Sequence, residues 1–534
     1  MAYPILAEKD TWFSPNNSSV KRANITEIEI IDRYTPDASV TVTDSWDASA
    51  AKDGSITCYV IGTKLIMAGN GSGKIAANSV ASCMFSDSTY KDPFSSVSKI
   101  KNTGLLYVGN TTNMMGFFDS CASLTSLDVS NWDVSQVTDM MGCFFGCAKL
   151  TSLDVSNWDV SKVLSMSNIF ASCKSLTFTD TNVSNWNVSA VTDMSAMFYF
   201  CESLTSLDVS NWDVSKVSKM SRMFDSCKSL TYLDVSNWDV SAVTTMKDMF
   251  PECNKLSQLD VVSWNPSSCT DMSFMFYQCS SLKEIDVSNW DVSKVTNFDH
   301  FAAHANLKRK GIEKWNTSSA TNLNAVFHAC AEEELDLSGW DVSKNQFFCQ
   351  MFENSQNLKR IKGLEKWNTS AGLGFDEMFG RCSKLEEVDL SAFNTTKAKN
   401  NVKASTNNHK TATLKDMFVS CNNLKKITLG TNFSINGDGT NTTAANKAIL
   451  PTPSASYISG ADGNWYNFTG DSFAPNAMKD KTAETYYASY DMVANADVIV
   501  KNGSLIDAAK AIREKNGTST KYTPAQFGTA IRAL

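Results

Sequence analysis

Four histidines, at positions 300, 304, 328 and 409, are the whole imidazole supply of this 534-residue chain, so general acid–base chemistry has few candidates. His300 and His304 frame "HFAAH" and His328 lies one repeat further on, a set that a divalent cation could bridge. The stretch lacks the glutamate of a zinc-protease "HExxH", and aligning the repeats puts His300 at a Met position and His304 at a Cys position. Histidines packed in or beside the core are the reading. Carboxylates recur at Asp128, Asp154, Asp208, Asp234, Asp260, Asp286, Asp336 and Asp389, a column that could hold calcium or do acid–base work. Stacked like charges repel unless backbone donors hold them, so turn capping is expected. A second position exchanges Asp133, Asp159 and Asp213 freely with Asn187, Asn265 and Asn316. What is needed there is a short acceptor that closes an Asx turn, with or without charge. "GNGSGK", Gly69 to Lys74, is too short for a phosphate-binding loop and is followed by Ile75. No CxxC pair has zinc spacing. We expect no catalytic residue, no metal and no cofactor: the chain is not an enzyme.

These residues sit in a repeat. Trp132, Trp158, Trp186, Trp212, Trp238, Trp264, Trp290, Trp315, Trp340 and Trp367 are 25 to 28 residues apart, with Phe393 in the same role. Fixed spacing of this size marks stacked coils that bury one another. Alternation at Leu204, Leu207 and Val209 predicts a short strand. Met220, Met223, Phe224 and Cys227, at i, i+3, i+4 and i+7, predict one face of a short helix. The tryptophans read as core. Ten of the 15 cysteines form a column from Cys121 to Cys421 whose side chains point the same way, so they read as buried thiols rather than disulfides.

The outline "MFxxCxxLxxLDVSxWDVSxVxxM" resembles the BspA-type leucine-rich-repeat family of bacterial and phage surface proteins, over roughly residues 84 to 430. The resemblance implies adhesive surfaces rather than chemistry. The expected fold is therefore an α/β repeat solenoid, leucine-rich-repeat-like, with a β-rich N-terminal region and a small helical C-terminal module. The divisions are 1–83 (β-rich cap or attachment region, strands in "ITEIEIID", "SVTVTD", "SITCYVIG" and "KLIMAGNG"), 84–430 (solenoid), 431–495 (second cap) and 496–534 (helical hairpin). In that hairpin "NGSLIDAAKAIREKNG" and "YTPAQFGTAIRAL" carry helix start and stop signals. They resemble a short module of phage tail and fibre proteins. "TFTDTNVSNW" gains two residues and "EEELDLSGW" loses one, which predicts local irregularity.

The pair inside each "LxxL" is Ser or Thr in most early coils and charged in later ones: Lys308/Arg309, Lys359/Arg360, Glu386/Glu387. Alternating signs predict a solvated ladder of ion pairs, and these six residues are the candidate partner contacts. Around "KAKNNVKASTNNHK" the chain runs 39 residues from Cys382 to Cys421, leaving a polar loop where repeat proteins place recognition. A net charge of −8 argues against nucleic acid, and no apolar run is long enough for membrane insertion. The expected role is a phage virion protein, a tail fibre or receptor-binding component. It would be assembled in the host cytoplasm with other tail proteins, open to homo-oligomerisation, and would bind a host cell-surface receptor, glycan or protein. The absence of a signal peptide fits that expectation better than the alternative, a bacterial cell-surface adhesin, or a fibre-borne glycan hydrolase.

Overall fold

The computed structural model describes residues 3–86, 92–178, 182–403, 410–439, 447–467, 471–476, 483–489 and 492–493. It divides into two compact units, Met1–Asp291 and Val292–Leu534. The expected C-terminal helical hairpin, 496–534, lies outside the described residues.

The first unit opens on strands β1 (Glu27–Ile31), β2 (Asp44–Asp47), β3 (Thr57–Ile61), β4 (Lys64–Ala68), β5 (Ile75–Ala76), β6 (Lys99–Lys101) and β7 (Leu106–Tyr107). β2, β3 and β4 form an antiparallel meander, β1 joins it parallel to β4, and β6 lies parallel to β1. Ile28 and Ile30 alternate into the core, as period two requires. "SVTVTD" is not the strand expected: β2 begins at its last residue, Asp44, and carries buried Trp46. The Trp46 Nε1–H donates to the Trp12 carbonyl at 2.7 Å, so this indole keeps its hydrogen bond inside the core.

From β6 the chain enters the coils. Parallel bridges link equivalent residues Asn113, Asp139, Ser165, Asp193, Lys219, Thr245 and Asp271, so successive copies lie in register. The fold class expected from the sequence is overturned at the Met-Phe-Cys segment. Among the described residues no coil contains an α-helix; 3-10 turns occur at Thr103–Leu105, Ile312–Lys314 and Leu364–Lys366. The segment is instead a ribbon of tight turns. The Met223 and Cys227 amides each donate three residues back, to Met220 and Phe224. The amides of Met220, Arg222, Phe224 and Ser226 donate to Thr245, Lys247, Met249 and Pro251 of the next coil. Arg222 and Ser226 have φ of 59° and 60°, and the same pair of left-handed residues recurs as Asn168/Ser172, Asp248/Glu252 and Phe274/Gln278. A left-handed L-residue costs about 1–2 kcal/mol. The inter-coil hydrogen bonds offset that, and a helix would have none of them, because it spends each amide within its own segment. The spacing i, i+3, i+4, i+7 fits a four-residue turn as well as a 3.6-residue helix over so short a run, which is why the period misled.

Inside the coils, residues of one type stack. Trp158, Trp186, Trp212, Trp238 and Trp264 stack with nearly parallel rings, at centroid spacings of 6.4–6.5 Å. Each indole N–H reaches a valine carbonyl of the previous coil, as Trp238 does to Val209 at 3.1 Å. All 15 cysteines are buried and free. The Asp column closes turns: Asp128 Oδ1 accepts from the amide and hydroxyl of Ser130, and Asn187 does the same with Ser189.

The second unit repeats this design. Glu334–Asp336 pairs parallel with Arg360–Lys362, and Glu387–Leu390 with Lys426–Leu429. Thr485–Tyr487 then adds antiparallel to Lys426–Thr428, and Trp465–Tyr466 and Ser472–Phe473 follow. Reversing direction there covers the exposed edge of the parallel pair.

Candidate functional site

The turn ribbon turns one set of side chains inward and another outward. Inward positions stay small or apolar, mostly Met, Phe and Cys, with Ile169, Ala305, Val326 and Ser355 among the departures. At the position after the core Phe, the first unit places partly exposed Phe145, Tyr199, Asp225 and Tyr277, and buried Asp119, Ala171 and Pro251 in the other coils. At the partly exposed ones packing leaves the residue type free.

Aromatic and charged groups interleave on this face. Tyr199 and Phe200 meet edge-on, with centroids 4.5 Å apart. The Arg222 guanidinium lies 5.6 Å from the Tyr199 ring and its Nε is 3.4 Å from Asp248 Oδ2. Lys228 Nζ bridges Glu202 at 3.5 Å and Glu252 at 3.6 Å, and stands 5.9 Å from the Phe200 ring. Burial pushes the Asp225 carboxyl up to about 6, although its bond from the Ser226 hydroxyl opposes the shift. Burial raises Asp248 as well. Toward the start of the ribbon a depression of about 270 Å³ is lined by Met115, Asp119, Met141, Phe145 and Asn168, where Gly116 and Gly142 supply left-handed turns without side chains. Rings beside carboxylates and amides can stack on a sugar face and bond its hydroxyls.

In the second unit His300 and His304 lie toward the outer side of its own ribbon, with His328 buried next to them. His300 and His304 occupy the two left-handed positions, φ 54° and 59°. They do not stand at Met and Cys slots; Ala305, fully buried, fills the Cys slot. Sequence alignment missed this because the coil has no Cys and its Phe301 stands one position early, with Ala302 in the usual Phe slot. The His304 and His328 rings approach to 4.0 Å between centroids, and His328 Nε2 is 3.7 Å from Glu353 Oε2. Glu353 also pairs with Arg381, which reaches Glu377 at 3.8 Å. Burial drives the two ionisations apart, His328 down to about 3 and Glu353 up to about 7. Among the described residues no group of three or more His, Cys, Asp or Glu side chains has the arrangement of a metal site.

The six charged residues singled out from the sequence divide. Lys359 Nζ meets Glu333 at 2.7 Å, Arg360 lies between Glu334 (3.9 Å) and Glu387 (3.5 Å), and Lys425 reaches Glu386 at 3.4 Å. These are exposed rungs of alternating sign. Lys308 is exposed, but Arg309 is only 4% exposed. Its guanidinium binds Glu332 through both Nε (3.2 Å) and Nη2 (2.9 Å), donates to the Val326 carbonyl (3.0 Å) and covers the Phe327 ring at 4.9 Å. Arg309 is part of the core. The signal was available: "LKRKGIEKW" is one residue shorter than "LKRIKGLEKW", and a one-residue slip turns a side chain to the other face.

Three overlapping stretches of the chain, residues 112–231, 199–308 and 299–427, match the family described as "Mycoplasma protein of unknown function, DUF285". No curated protein matches. Similar solved structures include a leucine-rich-repeat protein of Leptospira interrogans, at 10% identity over 60% of this chain and 84% of that one, with a TM-score of 0.18. Another is the functional domain of InlJ from Listeria monocytogenes, which includes a cysteine ladder, at 13% identity over 76% and 88%, TM-score 0.15. A third is the TLR13–ssRNA13 complex, at 13% identity over 64% and 61%, TM-score 0.17.

Proposed function

From the premise that this chain belongs to the DUF285 family, a repeat protein with leucine-rich-repeat features, we propose that it is a non-enzymatic recognition protein that attaches to a glycan-bearing cell surface. One observation carries the reading. Along the ribbon of the first unit the core positions stay apolar from coil to coil, whereas the partly or fully exposed ones exchange aromatic, acidic and basic side chains, among them Tyr199, Arg222, Asp225 and Tyr277. Many weak contacts spread over consecutive coils suit a repetitive, polar receptor. The finer role is that of a phage tail-fibre or receptor-binding component, supported by the resemblance of "AIREKNG" and its surroundings to phage tail modules.

The test is adsorption of the purified full-length chain to cells. Tyr199→Ser with Tyr277→Ser should lower adsorption on the order of tenfold, since each ring contributes about 0.5–1.5 kcal/mol, with no change in melting temperature. Unchanged adsorption would remove the ribbon as the contact face. Reducing ends accumulating in surface polysaccharide would show catalysis and overturn the non-enzymatic reading. Immunogold labelling of virions against labelling of cell envelopes separates the tail component from an adhesin.

A further inference from the structure

Between Cys382 and Cys421 the chain leaves the coil as an antiparallel pair, Asn400–Lys403 with Lys410–Ala412. It is anchored to the coil: the Ala412 amide donates to Asp376 Oδ1 at 3.1 Å, and Thr413 Oγ1 donates to Asn400 Oδ1 at 2.7 Å. Its register sets Lys403 opposite Lys410. Directly opposed residues in such a pair hold their Cβ atoms about 4.5–5.5 Å apart, and like charges there are destabilising. The neighbouring rungs avoid this, since Lys359, Arg360 and Lys425 each meet a glutamate.

The hairpin keeps its charge. Residues 397–415 contain five lysines and no acidic residue, in a chain whose net charge is −8. All five lysines are exposed. Among the described residues, Lys397, Lys399, Lys403 and Lys410 form no ion pair, and Lys415 has only a distant one with Asp416, at 3.9 Å. Exposed Asp438 reaches the base of the hairpin through its amide, bonded to the Ala398 carbonyl at 2.9 Å.

The geometry points to this hairpin as a second contact surface, separate from the ribbon, that takes an acidic polysaccharide through its row of unneutralised ammonium groups. A duplex nucleic acid, with a charge per ~1.7 Å, would extend beyond five lysines onto a net-negative protein. A sugar chain with sparse carboxylates matches the supply, and the exposed Asn401 amide offers bonds to its hydroxyls.

The experiment titrates the full-length chain with polygalacturonate, with neutral dextran and duplex DNA as parallel arms. Lys403→Glu places opposite charges across the hairpin, so the fold is kept or strengthened while the row is broken. The dissociation constant for polygalacturonate should rise about tenfold, equivalent to about 1.4 kcal/mol, with no fall in melting temperature. Raising salt should weaken wild-type binding, because exposed charges are screened. Equal affinity in Lys403→Glu, binding of dextran to the same extent, or tighter binding of DNA each overturns the proposal. The Tyr199→Ser, Tyr277→Ser variant should bind polygalacturonate as the wild type does; a loss there moves the site to the ribbon and overturns it too.

Discussion

Ser355 Oγ donates to the Phe327 carbonyl at 2.8 Å, making the bond that Cys382 Sγ makes to Phe352 and Cys227 Sγ makes to Phe198. The column therefore needs a small donor, and sulfur is one way of supplying it. Burial raises the Cys227 thiol well above its ordinary range, so it stays protonated and able to donate. Cys227→Ser should stay within about 0.5 kcal/mol of wild type, whereas Cys227→Ala, which leaves the Phe198 carbonyl only its bond from the Cys201 amide and opens a small void, should cost about 1–2 kcal/mol. Urea midpoints of the two variants decide it; equal losses would mean that volume alone matters. A reducing agent should shift neither.

Arg309 and Glu332 replace leucines in two successive irregular coils, and each supplies the other's counter-charge. Arg309→Met leaves the Glu332 carboxylate buried without its partner and should cost about 3–5 kcal/mol. Adding Glu332→Leu should recover most of the loss, because an apolar pair of similar volume suits the core. Thermal melts of the single and double variants measure the coupling, and additive losses would count against a specific pair.

Trp238 and Phe393 hold the same slot in different coils, and only the indole carries an N–H, bonded to Val209. Trp238→Phe should therefore lower stability by about 1–3 kcal/mol through the lost inter-coil bond, the Val209 carbonyl keeping only the Trp212 amide, and a small void. Urea unfolding measures the loss, and a Trp238→Phe chain with the wild-type midpoint would show the bond to be dispensable.

The columns were legible from spacing, because Trp, Cys and Asp recur at one period and stacking follows from that. The ribbon was not. Met220, Met223, Phe224 and Cys227 mark an inward face in either a helix or a four-residue turn, and only the left-handed backbone at Arg222 and Ser226 separates the two. Side-chain pattern is silent on that, since serine and arginine are unusual left-handed residues. For the same reason the outward face of the ribbon stayed hidden, while the charged rungs drew notice. Arg309 was misplaced by one residue of register, and its buried partner Glu332 looked like the start of an exposed acidic run.

Asp225 gives the ribbon a stability profile that can be read against pH. Its folded carboxyl titrates at about 6, above the ordinary value of 3.8, because burial disfavours the anion; Asp248 adds to this and Arg222 opposes it. Between those two values the folded chain holds a proton that the unfolded chain has lost, so this group's contribution falls as pH rises and is least favourable above about 6. His328 works in the opposite sense: its folded value of about 3 lies below 6.5, so its contribution is lost as pH falls through that window. Asp225→Asn mimics the neutral acid and isolates the first effect. At pH 8 it should stabilise the protein by about 1–2 kcal/mol, short of the full cost of a buried anion because water still reaches part of the site. At pH 4 the gain should vanish. Urea midpoints at the two pH values test this, and a gain of the same size at both would show that the ionisation of Asp225 is not its cause.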